Sequence, residues 1–347
     1  MRVPGLVVPP LTPFRGGGSA VDYAALRRQI DYIVRTAPSA TIGAACVETQ
    51  EYHYLSHAER IELIERTVEF VDHRAPVMVG VSHPNPRVAV ELAQLAERLG
   101  AEAVQALAPL RPFGGPPSLD DLLAYYGTIL AGTSLPLCVY HNPGPGAEVP
   151  PAWMVRLAQL ERVRYFKESS RDLRRIGLLI EEIDLAGHAR YFTTMEPLLA
   201  TLLLGGSGAA MPPPGCALAQ PVLDAFVAGD LEAARQRAAV FRLFPSKWIG
   251  RGLVAVMKAA MRVAGVDVGD PHPPYQPLTP EECRELERHL VRHEIAADGR
   301  EEARAHHQAT VDRGREAHPA GGRAEVPGDR RADVHGGRGR VGQPHRV

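Results

Sequence analysis

The amino-acid sequence predicts an α/β chain folded as a (β/α)8 TIM barrel, followed by a C-terminal helical extension and a low-complexity tail. Two observations carry this reading. Short β-rich runs alternate with amphipathic helical runs, eight of each, through residues 1–229, the pattern of parallel strands joined by crossover helices. No GxGxxG follows the first β-rich run, which weakens the alternative of a doubly wound open sheet.

In order, the first strand is expected over Leu6–Leu11 and the first helix over Val21–Thr36, with Leu26, Ile30 and Ile33 on one face. Strand Thr41–Ala45 leads to helix Ser56–Asp72, where Ser56 and Glu59 have the spacing of a capping box. Strand Pro76–Val81 precedes helix Pro86–Leu99, which Gly100 is suited to end. Then come strand Ala103–Ala108, helix Ser118–Leu130, strand Leu135–His141, helix Pro151–Leu160, strand Val163–Glu168 and helix Asp172–Ile183. Strand Ala189–Thr193, helix Glu196–Leu204, strand Gly208–Met211 and helix Ala217–Ala228 complete the barrel. Helices near Leu231–Phe244, Ile249–Val263 and Pro280–Ile295 form a three-helix extension over residues 230–296. The stretch Ala297–Val347 has no Leu, Ile, Phe, Tyr, Trp, Met or Lys. Such a segment buries too little apolar surface to offset chain entropy, so disorder is expected there.

Composition removes several function classes. With 39 basic and 40 acidic side chains the net charge is -1, so no nucleic-acid or anionic-membrane partner is expected on electrostatic grounds. No apolar run reaches the roughly 20 residues that span a bilayer. The N-terminus lacks the charged and apolar regions of a signal peptide, and Cys46, Cys138, Cys216 and Cys283 are far apart with no CxxC. Buried thiols in a reducing cytoplasm are expected, and no metal or cofactor. Gly16-Gly17-Gly18 is not a phosphate loop, because no GK[ST] follows. Pro212-Pro213-Pro214 falls where a barrel loop is expected.

Barrel active sites lie at the C-terminal ends of the strands. Polar residues expected there are Thr12, Glu48, Thr49, Ser82, Arg111, Tyr140, His141, Asn142, Lys167, Glu168 and Thr194, with Met211 closing the eighth strand. Only three of the 39 basic residues are lysines, and Lys167 alone ends a strand run. An ammonium in a barrel mouth loses hydration, which lowers its pKa. The neutral amine can then attack a ketone and form a Schiff base. The alternative is a lysine paired to Glu168. Tyr140 could move protons beside such an imine; the alternative is a core tyrosine with its hydroxyl satisfied. Lys247 and Lys258, in the C-terminal helices, read as ordinary solvated charges without a catalytic role.

Across residues 5–295 the motifs occur in a telling order. Leu11-Thr12-Pro13-Phe14 is similar to a TPF segment. Thr49-Gln50-Glu51, Leu55-Ser56 and Glu59-Arg60 are similar to the second half of a GTTGE…LS..ER segment. Gly80, Tyr140 and Pro143 (YNxP), Phe166-Lys167-Glu168-Ser169-Ser170, and Gly205 with Gly208 follow. In this the chain resembles the dihydrodipicolinate synthase / N-acetylneuraminate lyase superfamily of pyruvate-type class I aldolases. The resemblance implies that Lys167 forms an imine with a 2-oxo acid, that Tyr140 relays protons, and that Thr49 helps hold the substrate carboxylate. It also implies a homo-oligomer, tetramer or dimer.

The departures from the pattern bear on the substrate. Glu48 replaces a threonine that links two tyrosines in the synthase. Arg111, in Pro109-Leu110-Arg111, occupies the place of the second tyrosine. Gly144-Pro145-Gly146 stands where the synthase has an arginine, and His141 replaces an asparagine. The lysine-biosynthetic activity is therefore not expected. Glu48 and Arg111 could pair at the mouth; alternatively Arg111 binds a substrate carboxylate and Glu48 serves as an acid or base. His141 is expected to be a hydrogen-bonded residue behind the site. The expected activity is a lyase joining or splitting a 2-oxo acid and an aldehyde, or a hydratase-aldolase or dehydratase variant. The alternatives are a catalytically silent barrel that binds a 2-oxo acid or amino acid, and a structural subunit of a hetero-oligomer.

Overall fold

The computed structural model describes residues 4–111 and 115–295. The tail expected over 297–347 lies outside the described residues. Eight parallel strands close a barrel: β1 (Gly5–Val8), β4 (Thr41–Ala44), β5 (Val77–Gly80), β6 (Ala103–Leu107), β7 (Leu137–His141), β8 (Val163–Glu168), β9 (Arg190–Thr193) and β10 (Gly208–Ala210). They pair in chain order, and β10 returns to β1. The two remaining strands, β2 (Phe14–Arg15) and β3 (Ala20–Val21), form a small antiparallel pair. Gly16, Gly17 and Gly18 turn this hairpin with φ of 58°, 65° and 92°, a conformation that glycine adopts without steric penalty. That is the structural use of the glycine triplet.

The surrounding helices are α1 (Tyr23–Thr36), α2 (His57–Val71), α3 (Pro86–Arg98), α4 (Leu119–Ala131), α5 (Pro151–Ala158), α6 (Leu173–Leu179), α7 (Leu198–Leu203) and α8 (Pro213–Val227). The α2 capping box forms as its spacing predicts: Glu59 N–H donates to Ser56 Oγ, and Ser56 N–H donates to Glu59 Oε2 at 2.8 Å. Helix α6 runs on into a π-helical turn, Ile180–Leu185. Helix α8 begins four residues earlier than expected, because the proline run opens the helix: Pro212 is its N-cap and Pro213 its first residue. Proline is tolerated there because first-turn N–H groups lack intrahelical acceptors in any case.

The C-terminal segment is more broken than its sequence predicts. Helix α9 (Leu231–Arg237) passes into a 3-10 turn, Ala238–Arg242, and a second 3-10 turn covers Ser246–Arg251. Gly252, at φ 91°, stops that turn before α10 (Leu253–Val263) starts. Helix α11 (Pro280–Arg292) closes the described chain.

The main core lies between the strands and the helix layer. Inside the barrel, Val7, Met78, Ala103, Cys138, Phe192 and Ala210 pack with Tyr165. One layer nearer the mouth, Cys46, Val47 and Tyr140 pack with Leu107. Gly80 is required at this level, since a Cβ there would collide with the Ala45 carbonyl. Cys46, Cys138 and Cys216 are buried free thiols and Cys283 is half-buried. Among the described residues no helix is long and apolar enough to cross a membrane.

Candidate active site

Strand alternation decides which side chains reach the barrel mouth. In the β7–β8 register Tyr140 is opposite Lys167, and His141 is opposite Glu168. Tyr140 and Lys167 share the inner face. Glu168 turns to the helix side, where Oε1 lies 2.6 Å from His141 Nδ1 and Oε2 accepts from Arg175 Nε at 3.0 Å. Lys167 is therefore not paired with its neighbour Glu168. His141 accepts the Val149 N–H on Nε2 at 3.2 Å and faces Glu168 through Nδ1. It is a hydrogen-bonded residue behind the wall.

The Lys167 amine is buried 4.0 Å from the centroid of the Tyr140 ring and donates to Ser169 Oγ at 2.5 Å. Burial drives its pKa down to about 8, against a smaller opposing pull from the Glu48 charge. The Tyr140 hydroxyl donates to Glu48 Oε2 at 2.5 Å. Asn142 Nδ2 donates to the same carboxylate oxygen at 3.0 Å and to the Tyr140 oxygen at 2.9 Å. Burial, and then the Glu48 charge, push the Tyr140 phenol well above its usual value.

Glu48 and Thr49 occupy a 3-10 turn, Glu48–Gln50, just past β4. Gln50 holds this turn in place: its Oε1 accepts from Cys46 N–H at 2.7 Å and its Nε2 donates to the Gly43 carbonyl at 2.9 Å. The Thr12 hydroxyl donates to the Gln50 carbonyl. Thr12 thus braces the turn that carries Glu48 and Thr49, and it is not among the residues lining the cavity.

Above Lys167 is a cavity of about 390 Å³, lined by Glu48, Thr49, Tyr140, Asn142, Ser169 and Met211 among others. That volume suits a small metabolite. Four buried polar atoms of its wall, Glu48 Oε1, Thr49 Oγ1, Thr194 Oγ1 and Glu196 Oε2, have no hydrogen-bond partner among the described residues. Unpartnered buried polar atoms are costly unless a ligand or water satisfies them. Arg171 also lines the cavity and pairs with Glu196 at 2.9 Å.

Two expectations need correction. Arg111 does not meet Glu48. Its guanidinium is at Asp121, the carboxylate that also completes the α4 capping box by accepting from Ser118 N–H at 2.8 Å. The chain turns outward after β6 and delivers the arginine to this exposed helix N-terminus, away from the cavity wall. Lys258 is not a solvated charge. It is fully buried, 2.7 Å from Glu51 Oε2, and donates to the Thr12 and Asp270 carbonyls at 2.9 Å each. It ties α10 to the strand-end loops, and the start of α10 (Leu253, Val254, Ala255) forms part of the cavity wall. This contribution has no local sequence signal. Among the described residues no cluster of three or more His, Cys, Asp or Glu is suited to a metal.

The sequence model of the Dihydrodipicolinate synthetase family matches residues 2–293. The chain is 30% identical to the 4-hydroxy-tetrahydrodipicolinate synthase of Acidothermus cellulolyticus over 294 residues, covering 83% of this chain and 90% of that one. It is also similar to a prophage protein of Escherichia coli belonging to the dihydrodipicolinic acid synthase family, solved in complex with pyruvate. That match has a TM-score of 0.76 and 23% identity, covering 84% of this chain and 99% of the other. The N-acetylneuraminate lyase of Mycoplasma synoviae gives a TM-score of 0.71 at 22% identity, over 84% and 98% of the two chains. At these identities the two structures speak to the shared fold.

Proposed function

The chain belongs to the dihydrodipicolinate synthetase family, whose members are lyases of the class I aldolase type, and from that premise we propose that it acts on a 2-oxo acid through an imine on Lys167. The observation that carries this reading is the buried amine, its pKa lowered to about 8, set against the Tyr140 ring at the barrel mouth. The neutral amine attacks the ketone carbon and gives a carbinolamine. Tyr140 donates a proton to the departing hydroxyl, water leaves, the phenolate regains a proton from solvent, and the protonated imine becomes an electron sink. The bond between the carbon next to the imine carbon and the carbon after it (C3–C4 of the 2-oxo acid) can then break or form without a metal. The Thr49 hydroxyl, unpartnered in the cavity wall, suits a substrate carboxylate oxygen, and Met211 supplies apolar wall.

The reaction is aldol cleavage or condensation of a pyruvate-type unit with an aldehyde, or a hydratase-aldolase or dehydratase variant of it. The lysine-biosynthetic condensation is not proposed. Gly144-Pro145-Gly146 offers no side-chain cation, and Arg111 is engaged at Asp121. A cytoplasmic homo-oligomer, tetramer or dimer, follows from the same premise, and solution scattering tests the assembly.

Incubation with pyruvate and borohydride, followed by peptide mass spectrometry, tests the chemistry. A stable adduct on Lys167 is expected, absent in Lys167→Ala and slower to form in Tyr140→Phe. An unmodified Lys167 after borohydride would overturn the reading and favour a silent binding barrel.

A further inference from the structure

The imine needs a base for the carbon beside it, and the wall of the cavity offers a specific one. Resting on the Schiff-base reading above, we propose that Glu48 is a catalytic residue: its carboxylate removes the proton from the carbon adjacent to the Lys167 imine and returns it.

The two oxygens of Glu48 have separate environments. Oε2 accepts from the Tyr140 hydroxyl at 2.5 Å and from Asn142 Nδ2 at 3.0 Å, which fixes the carboxylate plane. Oε1 is buried, has no partner among the described residues, and belongs to a side chain that lines the cavity. An anchored carboxylate with one free oxygen toward the ligand has the form of a positioned base.

The neighbouring groups are poorly suited to the task. Tyr140 donates its proton to Glu48, and burial beside that charge favours the protonated phenol, so once the imine has formed and the phenol is reprotonated it is a proton donor and not the resting base. Thr49 and Ser169 carry hydroxyls, which are not basic at neutral pH. Burial pushes the Cys46 thiol up to about 12. Glu168 faces the helix layer. Glu196 also has a free buried oxygen, but its charge is met by the Arg171 guanidinium at 2.9 Å. The hydrogen-bond partners of Glu48 Oε2 are neutral, so no neighbouring cation ties up its carboxylate as Arg171 does that of Glu196.

The step balances. Glu48 takes a proton from the methyl carbon of the pyruvate imine. The C–H electron pair becomes a carbon–carbon double bond, and the imine π pair moves to nitrogen. The products are a neutral enamine on Lys167 and a carboxylic acid at Glu48. In the cleavage direction that acid protonates the enamine carbon, and water hydrolyses the imine.

The test uses the full chain and pyruvate in deuterium oxide. Methyl-proton exchange is followed by NMR and divided by the Lys167 adduct trapped with borohydride. Glu48→Gln is expected to keep the adduct and lose about 100-fold or more of the exchange per adduct. Glu48→Asp, which keeps the charge, is expected to retain clearly more than Glu48→Gln. Exchange per adduct in Glu48→Gln within about threefold of the parent would overturn the assignment. If Glu48→Gln does not fold, Glu48→Asn against Glu48→Asp replaces it, and equal exchange in that pair overturns the assignment. An absent adduct on the parent Lys167 is a different result, which removes the Schiff-base reading itself.

Discussion

Lys258 Nζ lies 2.7 Å from Glu51 Oε2 with both side chains buried, and this ion pair joins the C-terminal extension to the loop that carries Glu48 and Thr49. Glu51 also accepts the His272 N–H at 2.7 Å, so one carboxylate gathers two C-terminal attachments. Removing one member of a buried pair leaves the other charge uncompensated, at a cost of about 3–5 kcal/mol. Lys258→Met is therefore expected to lower unfolding free energy by that amount in urea. The double variant Lys258→Met, Glu51→Gln should recover part of the loss. A single-variant loss under about 1 kcal/mol would show that the pair does not hold the extension in place.

The Lys167 amine sets the pH dependence of imine formation. With a pKa of about 8, roughly a tenth of the amine is neutral at pH 7 and most of it at pH 9. The rate of pyruvate adduct formation should rise about tenfold over that interval and then level off. A rate independent of pH from 7 to 9 would contradict the assignment.

The same lowered pKa has a stability consequence. Between about 8 and the ordinary lysine value the unfolded chain binds more protons than the folded one, so stability rises with pH there. Below that window the full burial penalty is present. Lys167→Met should then stabilise the fold at pH 7 by an amount on the order of 3 kcal/mol. Thermal denaturation of the parent and the variant at pH 7 measures it.

Glu168 behaves in the opposite sense. Burial alone would raise its pKa, but the hydrogen bond with His141, together with the Arg175 charge and the Ser170 N–H, brings it below the usual carboxylate value. Its contribution to stability is present above the ordinary carboxylate pKa and is lost as pH falls through the depressed one. Glu168→Gln should cost about 3–5 kcal/mol at neutral pH, since Arg175 loses its buried anion. It should also flatten the acid limb of the stability curve. An acid limb as steep in the variant as in the parent would assign the acid sensitivity elsewhere.

The barrel strands were legible because each is a short apolar run between polar turns, and Lys167 and Tyr140 were legible because both end such runs. Their sharing one inner face depends on the β7–β8 register, which neither run encodes alone. Lys258 carries no local signal of its burial because its partners are remote: Thr12 is 246 residues away along the chain. Gln50 gave no signal because its function is to hold the backbone of its own loop. The pairing of Arg111 is illegible for a different reason. Asp121 reads as a capping residue of α4, and a cap does not look like the target of a distant guanidinium.

Arg111 gives the sharpest contrast between family position and local contact. The resemblance implies that it takes the place of a second tyrosine, yet its guanidinium meets Asp121, and both side chains are more than a third exposed. An exposed ion pair of this kind contributes about 0–1 kcal/mol, reduced further by salt. Arg111→Ala should therefore change urea stability by less than about 1 kcal/mol and leave the yield of the Lys167–pyruvate adduct unchanged. Asp121→Ala should cost more than Arg111→Ala, because it also removes the carboxylate that accepts from Ser118 N–H in the α4 capping box, while the Ser118 cap itself remains. A large fall in adduct yield for Arg111→Ala alone would place the guanidinium at the substrate during turnover.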